Sequence, residues 1–123
     1  MSEYMDYFQQ YIDAFLVRDN QTFMTVAPPV FFPKTFDSIA IRIEKTQNGV
    51  DVTDCHCIED YWEEMGINET DYQDRIKKIC DSFDLYREDR CFCMRILSDC
   101  TTRTHNEIGY FLQAMALLGN IYI

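Results

Sequence analysis

Ile39, Ile41 and Ile43 alternate with Ala40, Arg42 and Glu44, and Thr46-Gln47-Asn48-Gly49 follows before Val50 and Val52. Alternation with a period of two puts one set of side chains on one face of an extended chain, and Thr46-Gln47-Asn48-Gly49 supplies turn chemistry. The stretch is therefore expected to form a β-hairpin whose isoleucines and valines face a core. That expectation constrains the rest, because a lone hairpin is marginal in water and needs more strands and a covering layer.

The neighbouring segments supply both. Ser2 is placed to cap a helix whose Tyr4, Phe8, Tyr11, Ile12 and Phe15 fall at helical spacing, and Gln21 to Val26 reads as a strand before Pro28-Pro29. Ile58, Tyr61, Trp62 and Met65 make the apolar stripe of a short helix, stopped at Gly66 where a left-handed cap is expected. Thr70-Asp71-Tyr72-Gln73 matches a capping box ahead of the stripe Tyr72, Ile76, Ile79, Cys80 and Phe83. Phe92, Met94 and Ile96 alternate as a strand with both faces at least partly covered. Thr104-His105-Asn106-Glu107 is a second capping box, opening a helix lined by Ile108, Phe111, Leu112, Met115 and Leu118. The expected fold is α+β, in the order α-β-β-β-α-α-β-α, with an antiparallel sheet of about four strands and helices packed on one face.

A chain of 123 residues with 47% apolar residues is expected to form a single domain, residues 1–123. Eleven Lys and Arg against 21 Asp and Glu give a net charge of −10, which repels nucleic-acid phosphates and anionic lipid and argues against direct binding of either. The N-terminus carries acids where a signal peptide carries bases, and no apolar run is long enough to span a membrane, so a cytoplasmic location is expected. In that compartment the 6 cysteines are expected to be reduced.

Phe36-Asp37-Ser38-Ile39-Ala40-Ile41-Arg42-Ile43, Val50-Asp51-Val52-Thr53-Asp54, Met65-Gly66-Ile67 and His105-Asn106-Glu107-Ile108 through Gln113-Ala114 occur in that order. In them the chain resembles a bacterial and phage-associated family known as domain of unknown function 1828. The resemblance spans nearly the whole chain and implies a prokaryotic or phage origin without supplying a mechanism. Cys55-His56-Cys57 stands where that family has Asp-Gly.

Three kinds of chemistry are suggested by residue type. Cys55, Cys57, Cys91 and Cys93 could offer four thiolates to zinc, but a Cys-x-Cys spacing does not converge its sulfurs as a longer turn does, so packed thiols and no metal or cofactor are expected. A cysteine nucleophile would need His56 or His105 as its base, and His105, second in a capping box, is expected to be exposed. Asp37, Glu44, Lys45 and Asp51 invite comparison with a metal-dependent nuclease, but Glu44 and Lys45 are adjacent on a strand and point to opposite faces.

The least ordinary feature is charge. From Thr46 to Asp74 the chain has Asp51, Asp54, Glu59, Asp60, Glu63, Glu64, Glu69, Asp71 and Asp74 and no Lys or Arg. Glu59, Asp60, Glu63 and Glu64 are expected to form an outward carboxylate row opposite Trp62, with Asp71 and Asp74 extending it. Helix-dipole effects and the pairs Asp71–Arg75 and Asp74–Lys78 account for part of this charge but not for Glu63 and Glu64 near a helix C-terminus. The expected function is a non-enzymatic protein-binding domain, a phage or mobile-element accessory such as an anti-CRISPR or other anti-defence inhibitor. Its partner would be a protein with a basic, nucleic-acid-binding surface. The alternatives are a secretion-chaperone-like acidic homodimer that holds a partner segment and a metal-dependent nuclease-type enzyme.

Overall fold

In the computed structural model, which describes residues 23–26, 39–97 and 101–122, alternating burial organises a sheet of five strands. They are β1 (Phe23–Val26), β2 (Ile41–Lys45), β3 (Gly49–Thr53), β4 (Tyr86–Glu88) and β5 (Cys91–Leu97). Their order is β1-β2-β3-β5-β4, and each neighbouring pair is antiparallel. The expected hairpin is β2–β3, with Ile43 opposite Val52 and the turn closed by the Thr46 N–H on the Gly49 carbonyl at 2.9 Å. The expected N-terminal helix, capped by Ser2 and ended at Asp19-Asn20, and the Pro28-Pro29 break lie outside the described residues.

The short strand β4 was not expected. Three residues, two of them charged, show no alternation, and the turn Asp89-Arg90 carries no glycine. Both turn residues nevertheless have positive φ, 51° and 65°, the signature of a type I′ hairpin whose twist suits its strands.

Among the described residues there are three helices: α1 (Cys57–Glu64) and α2 (Gln73–Phe83) lie between β3 and β4, with a 3-10 turn at Glu69–Tyr72 ahead of α2, and α3 (Thr101–Gly119) follows β5. Buried Ile41, Ile43, Val50, Val52, Phe92, Met94 and Ile96 share one core with Ile58, Tyr61 and Trp62 of α1 and Ile108, Phe111 and Met115 of α3. The α1 helix ends as Gly66 suggested: this residue has φ +69°, its N–H reaches the Glu63 carbonyl, and the Ile67 N–H reaches that of Trp62 at 2.8 Å. Among the described residues no helix is long and apolar enough to cross a membrane.

Neither capping box sits at a helix start. Asn68 caps the 3-10 turn by accepting from the Thr70 N–H at 3.1 Å, so Thr70 is already inside the turn. The α3 helix begins at Thr101, which places Thr104 and His105 within it and buries both. Thr104 lies one helical step before Ile108 on the inward stripe, and the expectation of an exposed His105 is thereby corrected.

Two residues tie these layers together. Trp62 is 3% exposed, meets Phe92 edge-to-face with ring centroids 5.8 Å apart, and donates its indole N–H to the Leu118 carbonyl at 2.9 Å. Asp54 is fully buried, accepting the Phe92 N–H on Oδ1 at 2.9 Å and the Ile58 N–H on Oδ2 at 3.1 Å. Burial pushes the Asp54 carboxyl above the usual range, against the pull of those N–H donors. Trp62→Ala is expected to destabilise by about 3–5 kcal/mol in urea unfolding, through a large cavity and an orphaned carbonyl. Asp54→Asn is expected to cost about 1–3 kcal/mol in the same assay, because the amide NH2 would face one of two N–H donors that both need an acceptor.

Candidate interaction surface

The acidic row is built on α1, and its members differ in what they do. With Ile58, Tyr61 and Trp62 turned inward, Asp60, Glu63 and Glu64 stand outward, and the Asp60 and Glu63 side chains are 63% and 77% exposed. Glu59 does not belong with them. Its side chain is only 16% exposed, and it receives Arg87 at 2.8 Å and Arg90 at 3.4 Å. The expectation of four equivalent outward carboxylates is corrected accordingly.

The β4–β5 hairpin supplies both arginines. Arg87 lies opposite Phe92 in the β4–β5 register, with its guanidinium carbon 4.6 Å from that ring's centroid, a cation–π contact. From there it also reaches Glu69, so one guanidinium joins α1 to the 3-10 turn. Arg90, held at positive φ in the turn, is 3.5 Å from Glu63 and 3.7 Å from Asp60. These contacts are exposed and screened, and Arg90 moderates the row without cancelling it.

The expected pairs Asp71–Arg75 and Asp74–Lys78 are not formed. Asp71 sits in the 3-10 turn, whose three-residue period breaks the i,i+4 stacking that such a pair needs, and Arg75 instead donates to the Ile121 carbonyl at 2.9 Å. Asp71 and Asp74 remain exposed and, with Thr70 and Gln73, line an open groove of about 320 Å3. The one i,i+4 ion pair of α2 is Lys77–Asp81, among the described residues.

Among the described residues, Cys91 and Cys93 lie on β5, Cys55 and Cys57 at the start of α1, and Cys80 on α2. Cys57 Sγ donates to the Ala40 carbonyl at 3.5 Å and accepts the Ala40 N–H at 3.4 Å. Cys55, Cys57, Cys80, Cys91 and Cys93 are unpaired, and among the described residues no three Cys, His, Asp or Glu gather around a point that could hold a metal. Burial, with lesser contributions from neighbouring acidic groups, pushes the Cys55 and Cys93 thiols up to about 11. Such thiols are poor nucleophiles at neutral pH. Of the nuclease-type candidates, Asp37 lies outside the described residues, Glu44 pairs in register with Asp51, and Asp51 is taken by Arg95 at 3.0 Å.

Comparison with protein-family models, with curated proteins and with solved structures yields no match to this chain.

Native Cys55 and Cys93 are expected to alkylate with iodoacetamide about a hundredfold more slowly at pH 8 than the same residues in the urea-unfolded chain, read by peptide mass spectrometry. Because their folded pKa lies above the unfolded value of 9.0, the stability they contribute is fully present below about pH 9 and is lost as pH rises to about 11.

Proposed function

We propose that this chain is a non-enzymatic acidic binding domain that covers a basic, nucleic-acid-binding surface of another protein. The observation that carries the reading is the pair Glu63 and Glu64. They are exposed at the C-terminal end of α1, where no basic residue lies in the last turn and the helix dipole disfavours an anion by about 0.3–1 kcal/mol. Arg90 offsets Glu63 in part at 3.5 Å, through an exposed contact, and Glu64 has no ion pair among the described residues. Carboxylates kept at so little-compensated a place on a chain of net charge −10 fit a use outside the fold.

Asp60 belongs with Glu63 and Glu64, and Asp71 and Asp74 add charge beyond the 3-10 turn. Glu59 acts one step back, by fixing the hairpin arginines against α1. Exposed carboxylates at helical spacing present anions to a partner much as a phosphate backbone does, and they steer a basic groove from a distance. The resemblance to a phage-associated family makes an anti-defence inhibitor of the anti-CRISPR kind the matching biological role.

The test is a double charge reversal, Glu63→Lys with Glu64→Lys, compared with wild type against the partner recovered from host lysate and identified by mass spectrometry. The reversed protein is expected to melt within about 2 °C of wild type and to bind at least about tenfold more weakly. Wild-type binding is expected to weaken as salt rises past physiological strength and to be competed by the partner's own nucleic acid. Native affinity in the reversed protein would overturn the reading.

A further inference from the structure

The outer side of α3 is unlike the rest of the surface. Arg103, Asn106, Tyr110, Gln113, Leu117 and Asn120 follow one another at spacings of three and four, the repeat of a helix–helix seam. The first five are exposed and Asn120 is half-exposed. None is a carboxylate. Leu97, Tyr110 and Leu117 are the exposed large apolar residues among those described, and two of them share this stripe at 50% exposure each. Beside Leu117, Ile79 and Ile121 continue the apolar surface into a groove of about 290 Å3, edged by Arg75 and Lys78.

We propose that this stripe docks against a second copy of the chain, the two α3 helices antiparallel about a two-fold axis beside Gln113. Three observations select that occupant. Tyr110 and Leu117 lie three positions before and four after Gln113, so an antiparallel pair with its axis beside Gln113 sets each Tyr110 against the other copy's Leu117 while the Gln113 amides meet at the axis, a self-complementary surface. Two copies of net charge −10 repel each other, and this seam lets them meet without opposing carboxylates. The seam's one cation, Arg103, would stand beside the C-terminal end of the other copy's α3, the negative end of that helix dipole, with the two arginines about 30 Å apart. The acidic residues of α1 are not among those of the stripe, so under the proposed function each copy keeps its own row.

The experiment is sedimentation equilibrium on the full chain. Wild type is expected to dimerise, and Leu117→Glu is expected to raise the dissociation constant at least about tenfold with its circular-dichroism melt retained. Leu97→Glu, on the sheet, is expected to leave the dimer intact. Dimerisation should tighten as salt rises, because salt screens the repulsion between two acidic copies, the reverse of the salt response of binding through α1. This keeps failure of the dimer distinct from failure of the proposed function. Gln113→Cys should also form a covalent dimer with oxidised glutathione, beyond any given by the wild-type cysteines. Asn106→Cys should not, since its two copies would be about 22 Å apart. A wild-type monomer, a dimer unaffected by Leu117→Glu, or cross-linking at Asn106 equal to that at Gln113 would each overturn the proposal.

Discussion

Both carboxylate oxygens of Asp54 are engaged inside the protein, one by the main chain of β5 and the other by the main chain of α1. The residue's own N–H donates to the Phe92 carbonyl, and its carbonyl accepts from the Cys57 N–H. One side chain and its peptide groups thus terminate a strand, extend a ladder and start a helix. A buried carboxylate is costly unless its acceptor capacity is met, and here the elements that meet it are those it joins. The chain leaves this corner through Cys55 and His56, both at positive φ, 53° and 68°. Two consecutive non-glycine residues hold a conformation that disfavours side chains, so the corner's contacts outweigh the strain.

From that corner a line of contacts crosses the molecule. Arg87 lies over Phe92, Phe92 meets Trp62 edge-on, and Trp62 bonds to the last turn of α3. The hairpin, the sheet, α1 and α3 are held in sequence by one cation, two aromatic rings and one carbonyl. Because Arg87 also grips Glu59 and Glu69, the surface charge of α1 is set partly by the packing of Phe92.

The sequence was legible where one local force decided the outcome. Ile41, Ile43, Val50 and Val52 alternate and are buried together; Gly66 stops α1 by the geometry only glycine adopts freely; Trp62 lies on its stripe and is buried. It was misleading where a longer-range contact prevailed over a local one. Thr104 satisfies a capping pattern yet packs in the core, because α3 extends a turn further back. Arg75 has the Asp71 carboxylate four positions back yet bonds to the main chain at Ile121. The acidic row was visible as a block without cations, but the removal of Glu59 from it by Arg87 and its moderation by Arg90 were not. Those residues lie more than twenty positions away in the chain from the α1 carboxylates they reach, on a hairpin whose turn lacks glycine.

The division within α1 bears on how this surface can change over time. Glu59 is bound into the fold by two arginines, so replacing it requires compensation on another element. Among the described residues Glu64 is exposed without an ion pair and Glu63 has only an exposed contact with Arg90 at 3.5 Å, and exposed helix-end positions tolerate most polar residues. Neighbouring positions on one helix therefore stand under different rules of substitution. The tip of α1 can therefore be redrawn one residue at a time, while Glu59 and its arginines keep the scaffold that carries it.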